Sequence, residues 1–149
     1  MNTAKAKQMT AFRFARLHNV PVKYSKEYRE DFFKRGLANI ECRAAIGYYH
    51  HYSDAAIAIN RNHHTSQIHK ETNLWHELGH YLDIKQLGED KYEAMSILYR
   101  EARASAIAIK LMKKYGRWQE YKRKGLLWGY ETYLSDPNQK NYRYLIEEA

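Results

Sequence analysis

The sequence holds a single cysteine, Cys42, among 149 residues. One thiol closes no disulfide within the chain and supplies no cysteine cluster for a structural metal, so any fold must rest on its own core. Cys42 itself reads as a small packing residue. No run of 18 apolar residues occurs, so no membrane-spanning helix is expected and no membrane partner is implied. The N-terminal stretch is basic, but Arg13 and Arg16 interrupt any apolar segment behind it. No signal peptide is therefore expected, and the expected compartment is the cytoplasm. Acidic residues are in the minority, 17 against 25 lysines and arginines, for a formal charge of +8. The excess gathers late, in Lys110, Lys113, Lys114, Arg117, Lys122, Arg123 and Lys124 against Glu120 alone. Such a stretch suits nucleic acid or an acidic protein, but a solvated helix face explains it as well and is the preferred reading. Internal repeats, low-complexity tracts and linkers are lacking too, so residues 1–149 read as one domain.

What is present is mostly helical in pattern. Residues 3–18 read as a helix ended by Asn19-Val20-Pro21. Residues 22–38 are mixed, with Tyr24, Tyr28, Phe32 and Phe33 as packing anchors. Residues 41–50 and 55–60 read as the strands of a β-hairpin turning at Ser53-Asp54. A polar, histidine-rich loop follows, from Arg61 to Glu71. Leu74, Trp75, Leu78, Tyr81 and Leu82 then recur at helical spacing over 73–86. Thr72 or Asn73 is placed to cap that helix, and Gly88 to end it. A second long helix is expected over 90–115. The tail, 117–149, reads as one or two short helices with a turn at Ser135-Asp136-Pro137-Asn138.

The first of these two helices carries His76-Glu77-Leu78-Gly79-His80. Histidines four apart share a helix face, one turn from each other, so both imidazoles reach one metal ion. Glu77 is rotated by about 100° from His76, towards a water on that metal. Zinc lowers the pKa of a water it holds, and a neighbouring carboxylate then serves as the base. This is the H-E-x-x-H pattern of zinc metallopeptidases. Gly79 adds weight, because glycine inside a helix costs roughly 1 kcal/mol against alanine and needs a reason. Close approach of another backbone supplies one.

A catalytic zinc takes three protein ligands and keeps an open position. The following helix has an apolar stripe of Ala94, Ile97, Leu98, Ala102, Ser105, Ala108, Ile109 and Met112, with Glu101 in its middle. A carboxylate on a buried face needs a partner or a metal, so Glu101 is the expected third ligand. Its small neighbours allow the helix to lie close to Gly79. Asp83, three residues past His80, is expected to accept a ring N–H of a ligating histidine rather than to ligate. Glu93 sits about 80° around the helix from Glu101, off the stripe. Glu131 remains open if the chain folds back. His50, His51, His63, His64 and His69 lack ligand spacing and read as polar loop residues. An oxyanion donor is expected among Tyr92, Tyr99, Tyr130 and Tyr133.

Ile57-Ala58-Ile59-Asn60, a polar loop and Leu74-Trp75-His76-Glu77-Leu78-Gly79-His80 together resemble the ImmA/IrrE-type metallopeptidases. Glu101-Ala102-Arg103-Ala104-Ser105-Ala106-Ile107-Ala108, continuing to Leu111-Met112, is similar to that family's glutamate helix. The resemblance spans roughly residues 40–115. It departs from the family at Arg103, at Ile107 in place of phenylalanine, and in lacking a proline after Met112. His80-Tyr81-Leu82-Asp83 is also similar to the toxin-type zincin domains related to anthrax lethal factor. The resemblance implies an α+β, zincin-like core of the gluzincin kind: a small sheet, the motif helix and a glutamate helix. It implies zinc on His76, His80 and Glu101, with Glu77 as general base. It also implies a protein or peptide substrate, with a regulator from a phage or mobile element as one class. Such a substrate would add as a strand to an edge formed by Ile57, Ala58 and Ile59. The rival expectation is a zincin-like binding or regulatory module without proteolysis, associated or not with nucleic acid. The intact Glu77 argues against it, because a purely structural site has no use for a base.

Overall fold

Thr10 fixes where the first helix begins. Its hydroxyl accepts the amide N–H of Arg13 at 3.1 Å, so the helix, α1, runs over Ala11–Leu17. The computed structural model describes residues 8–24, 44–47, 56–59 and 67–149. Within these, residues 8–10 are not helical, and the expected start at residue 3 lies outside them. The chain leaves α1 through Asn19 in the left-handed region, φ 53°, a conformation asparagine tolerates better than most residues.

Three short strands follow: β1 (Val22–Tyr24), β2 (Ala44–Gly47) and β3 (Ala56–Ile59). β3 lies in the middle. It pairs parallel with β1, Val22 opposite Ile57, and antiparallel with β2, Ile46 opposite Ile57. The expected turn at Ser53-Asp54 lies outside the described residues, as do Cys42, Tyr28, Phe32 and Phe33. Strand β1 escapes a periodicity search because it is three residues long and draws its partner from 35 positions downstream.

The rest is helical: α2 (Gln67–Leu87), α3 (Glu89–Ala94), α4 (Ile97–Lys114), α5 (Trp118–Arg123), α6 (Trp128–Glu131) and α7 (Arg143–Glu147). Short 3-10 segments fill Thr132–Leu134 and Pro137–Tyr142. The chain is thus mostly helical, as its patterning indicates. Three boundaries differ from expectation. Helix α2 starts at Gln67, so Thr72 and Asn73 lie inside it rather than at its start. Gly88 does end it, at φ 82°. The expected helix over 90–115 breaks at Met95-Ser96, because the Ser96 hydroxyl accepts the Tyr99 amide and starts α4 afresh. The tail holds three α-helices rather than one or two, and Asp136 and Pro137 open a 3-10 segment instead of a simple turn.

The core lies between α1, α2, α4 and the tail. Leu74, Trp75 and Leu78 of α2 meet Ile109 and Met112 of α4, with Phe14 against Trp75 at 5.3 Å between rings. Tyr121, Leu127, Tyr130 and Ile146 bring the tail onto the same cluster. A buried polar tie reinforces it. Glu71 is wholly buried on α2, and its carboxylate accepts from Arg117 at 2.6 Å and Tyr121 at 3.1 Å. Among the described residues, no helix is long and apolar enough to cross a membrane.

The late basic stretch does not form one free patch. Arg117 is spent on Glu71 and Glu120, and Lys124 on Glu120. Lys113 donates to the Ala149 carbonyl at 2.8 Å and lies over Trp118.

Candidate metal centre

Helices α2 and α4 meet where Gly79 faces Ala104. A Cβ on residue 79 would run into the Ala104 carbonyl oxygen and stand 2.9 Å from its carbon. Glycine is required here for closeness, not for its φ angle. The contacts along the two helices then run in opposite order. His76 meets Ser105 and Glu101, Gly79 meets Ala104, and His80 meets Glu101.

The result is a cluster of three donors from two helices. Glu101 Oε2 lies 2.8 Å from His76 Nε2 and 3.1 Å from His80 Nε2. The ligand atoms of the three residues all lie within 4.8 Å of one another. Two imidazole nitrogens and one carboxylate oxygen are a donor set that zinc accepts. Each ring is also held from behind. His76 Nδ1 lies 3.0 Å from Ser105 Oγ, and His80 Nδ1 lies 3.0 Å from the Tyr92 hydroxyl. As described, each Nε2–H donates to the Glu101 carboxylate; moving the ring proton to Nδ1, where the hydroxyls can accept it, would free both Nε2 lone pairs for a cation. The residues present therefore fit a divalent ion. Burial alone would raise the Glu101 pKa, but the hydrogen bonds and charges of His76 and His80 hold it well below the usual carboxylate range.

Glu101 is the third member, as its place on α4 indicates, but the physical setting differs from expectation. Its side chain is 41% exposed, so it faces an opening rather than a sealed core. Glu77 is buried beside the cluster at 8% exposure. Burial pushes its pKa from the usual 4.5 to about 7; His76 opposes that rise and the Glu101 charge adds to it.

Asp83 requires correction. It touches neither motif histidine; both its oxygens are taken by Arg103, at 2.9 and 2.7 Å. The hydroxyls of Tyr92 and Ser105 do the work expected of it. Ser105 was legible in principle, since it lies one turn after Glu101 on the same face. Tyr92 was not, because it sits on α3, a separate short helix after Gly88. Ile57, Ala58 and Ile59 also require correction as a substrate-pairing edge. They form the central strand, flanked on both sides, and the Ile57 amide already donates to the Pro21 carbonyl at 2.8 Å.

Of the candidate oxyanion donors, Tyr92 is engaged at His80, and the Tyr130 hydroxyl donates to the Thr72 carbonyl at 2.5 Å. The Tyr99 ring stacks on Tyr142 at 5.1 Å. Tyr133 remains; it is half-buried, and its phenol pKa is raised by burial, lowered by a hydrogen bond with Ser105 and raised by the Glu101 charge. Glu93 lies on the separate helix α3, and Glu131 is exposed on α6. His69 falls within α2, while His50, His51, His63 and His64 lie outside the described residues. No family model matches the chain, and the searches of curated proteins and of solved structures return no match either.

Proposed function

We propose that the chain is a zinc-dependent metalloendopeptidase with a zincin-like core of the ImmA/IrrE type, hydrolysing peptide bonds of a protein substrate. One observation carries the proposal: Glu101, 21 and 25 residues beyond the motif histidines, sets its carboxylate against Nε2 of both. His76, His80 and Glu101 would hold the ion. Zinc in such a site supplies Lewis-acid polarisation of a carbonyl and lowers the pKa of a bound water.

The chain's own residues supply the rest. Glu77 takes the proton of the attacking water and passes it to the leaving amine as the C–N bond breaks. Its buried setting favours proton uptake. Tyr133 donates its hydroxyl to the carbonyl oxygen as negative charge grows there. Both Nδ1 atoms stay fixed on Ser105 and Tyr92, which prevents the rings from turning. With β3 flanked, an extended substrate pairs on β1 or β2, the outer strands among the described residues. The resemblance over residues 40–115 favours a regulatory protein of a phage or mobile element as that substrate.

The test is cleavage of an unfolded protein mixture, with fragments identified by mass spectrometry. Fragments are expected with the purified protein, absent after chelation and restored by added zinc. Fragmentation that continues at full rate under chelation rejects the proposal.

A further inference from the structure

We infer that the Asp83–Arg103 ion pair is a positioning device for the metal centre, fixing α4 against α2 so that Glu101 meets both histidines. The inference rests on the metal-binding function proposed above. Among the described residues, the Glu101 carboxylate is hydrogen-bonded to His76 and His80 alone. No other side chain aims it at them. Its position is therefore inherited from the backbone of α4.

Apolar packing holds the two helices together further along, and two contacts lie at the turns that carry the ligands. The first is Gly79 against Ala104, where backbone meets backbone. This close contact sets the separation of the two helices at the site, but by itself it does not fix the angle at which α4 presents Glu101. The second is Asp83 with Arg103, one turn further along α2 than Gly79. Asp83 is wholly buried, and Arg103 grips both oxygens, Nε to Oδ2 at 2.9 Å and a terminal nitrogen to Oδ1 at 2.7 Å. A two-pronged grip fixes an angle as well as a distance. The guanidinium also lies over the Tyr99 ring, 5.5 Å from its centroid, which restrains Arg103 in turn. Arg103 is two residues from Glu101 and Asp83 three from His80, so the constraint acts where the ligands are. Stability alone explains the pair poorly, because a well-packed apolar pair of similar volume is often as stabilising as a buried ion pair.

Co2+ titration of the metal-free protein, followed by visible absorption, tests the inference. Arg103→Lys keeps the charge and loses the fork; Asp83→Asn keeps the shape and loses the charge. Both are expected to weaken Co2+ binding by about 10- to 100-fold. The double variant should be little weaker than either single one, since both remove the same contact. Circular dichroism and thermal unfolding without metal report the fold separately. Folded variants that lose thermal stability yet bind Co2+ as wild type does overturn the inference. If Asp83→Asn does not fold, Arg103→Lys decides alone by the same readout. A wild-type chain that binds no Co2+ rejects the proposed function itself, and that outcome is distinct from wild-type affinity in a variant.

Discussion

Glutamine at position 77 is expected to leave the metal bound and to lower kcat/KM for peptide cleavage by about 10²- to 10⁴-fold. The amide matches the carboxylate in shape, so the neighbouring packing survives. Glu77 is not one of the three clustered donors, so the ion has no reason to leave. What disappears is the group that takes up a proton. An exposed carboxylate is a weak base at neutral pH. Burial raises the Glu77 pKa to about 7, against the pull of His76, and so brings it near the working range of a general base. A bound cation would draw it down again, which makes the buried starting value useful. Kinetics and zinc content measured on the same preparation check the expectation. A Glu77→Gln enzyme that cuts at the wild-type rate removes Glu77 from the reaction.

Alanine at position 79 is expected to destabilise the fold by about 2–3 kcal/mol or more through overpacking. For a chain of this size that is a fall in Tm of roughly 5–10 °C. The sign makes this a sharp test. In an unhindered helix, Gly→Ala stabilises by roughly 1 kcal/mol, so Tm would rise. Here the new methyl meets the Ala104 carbonyl, a backbone group that cannot rotate aside. Helix α4 must then shift, and Glu101 shifts with it, so zinc affinity should fall along with Tm. Thermal unfolding with and without zinc measures both effects. A higher Tm in Gly79→Ala would show that the two helices do not approach as closely as described.

The motif helix, the close approach at Gly79 and the candidacy of Glu101 were legible because each is written in local spacing. Histidines four apart define a face, a glycine inside a helix needs a reason, and a lone carboxylate in an apolar stripe needs a partner. Elsewhere the determining contact lies far along the chain. Helix α2 extends back to Gln67 although its first turns are polar, because Glu71 is buried against Arg117, 46 positions away. A periodicity search scores that carboxylate as solvent-facing. Asp83 shares a face with His80, which suggested a histidine partner, but the arginine that claims it sits on α4. Strand order is not local either, so Ile57–Ile59 read as an edge although β1 and β2 flank them. The apolar stripe of 90–115 runs across a helix break, and only the Ser96 cap reveals it.

Elemental analysis of zinc on three proteins purified side by side is the most direct test of the His76–His80–Glu101 centre. Wild type and Glu93→Ala should each carry about one zinc per chain, while Glu101→Ala should lose most of it. Equal zinc content in all three, or none in wild type after zinc is supplied, would contradict a metal centre built from these residues.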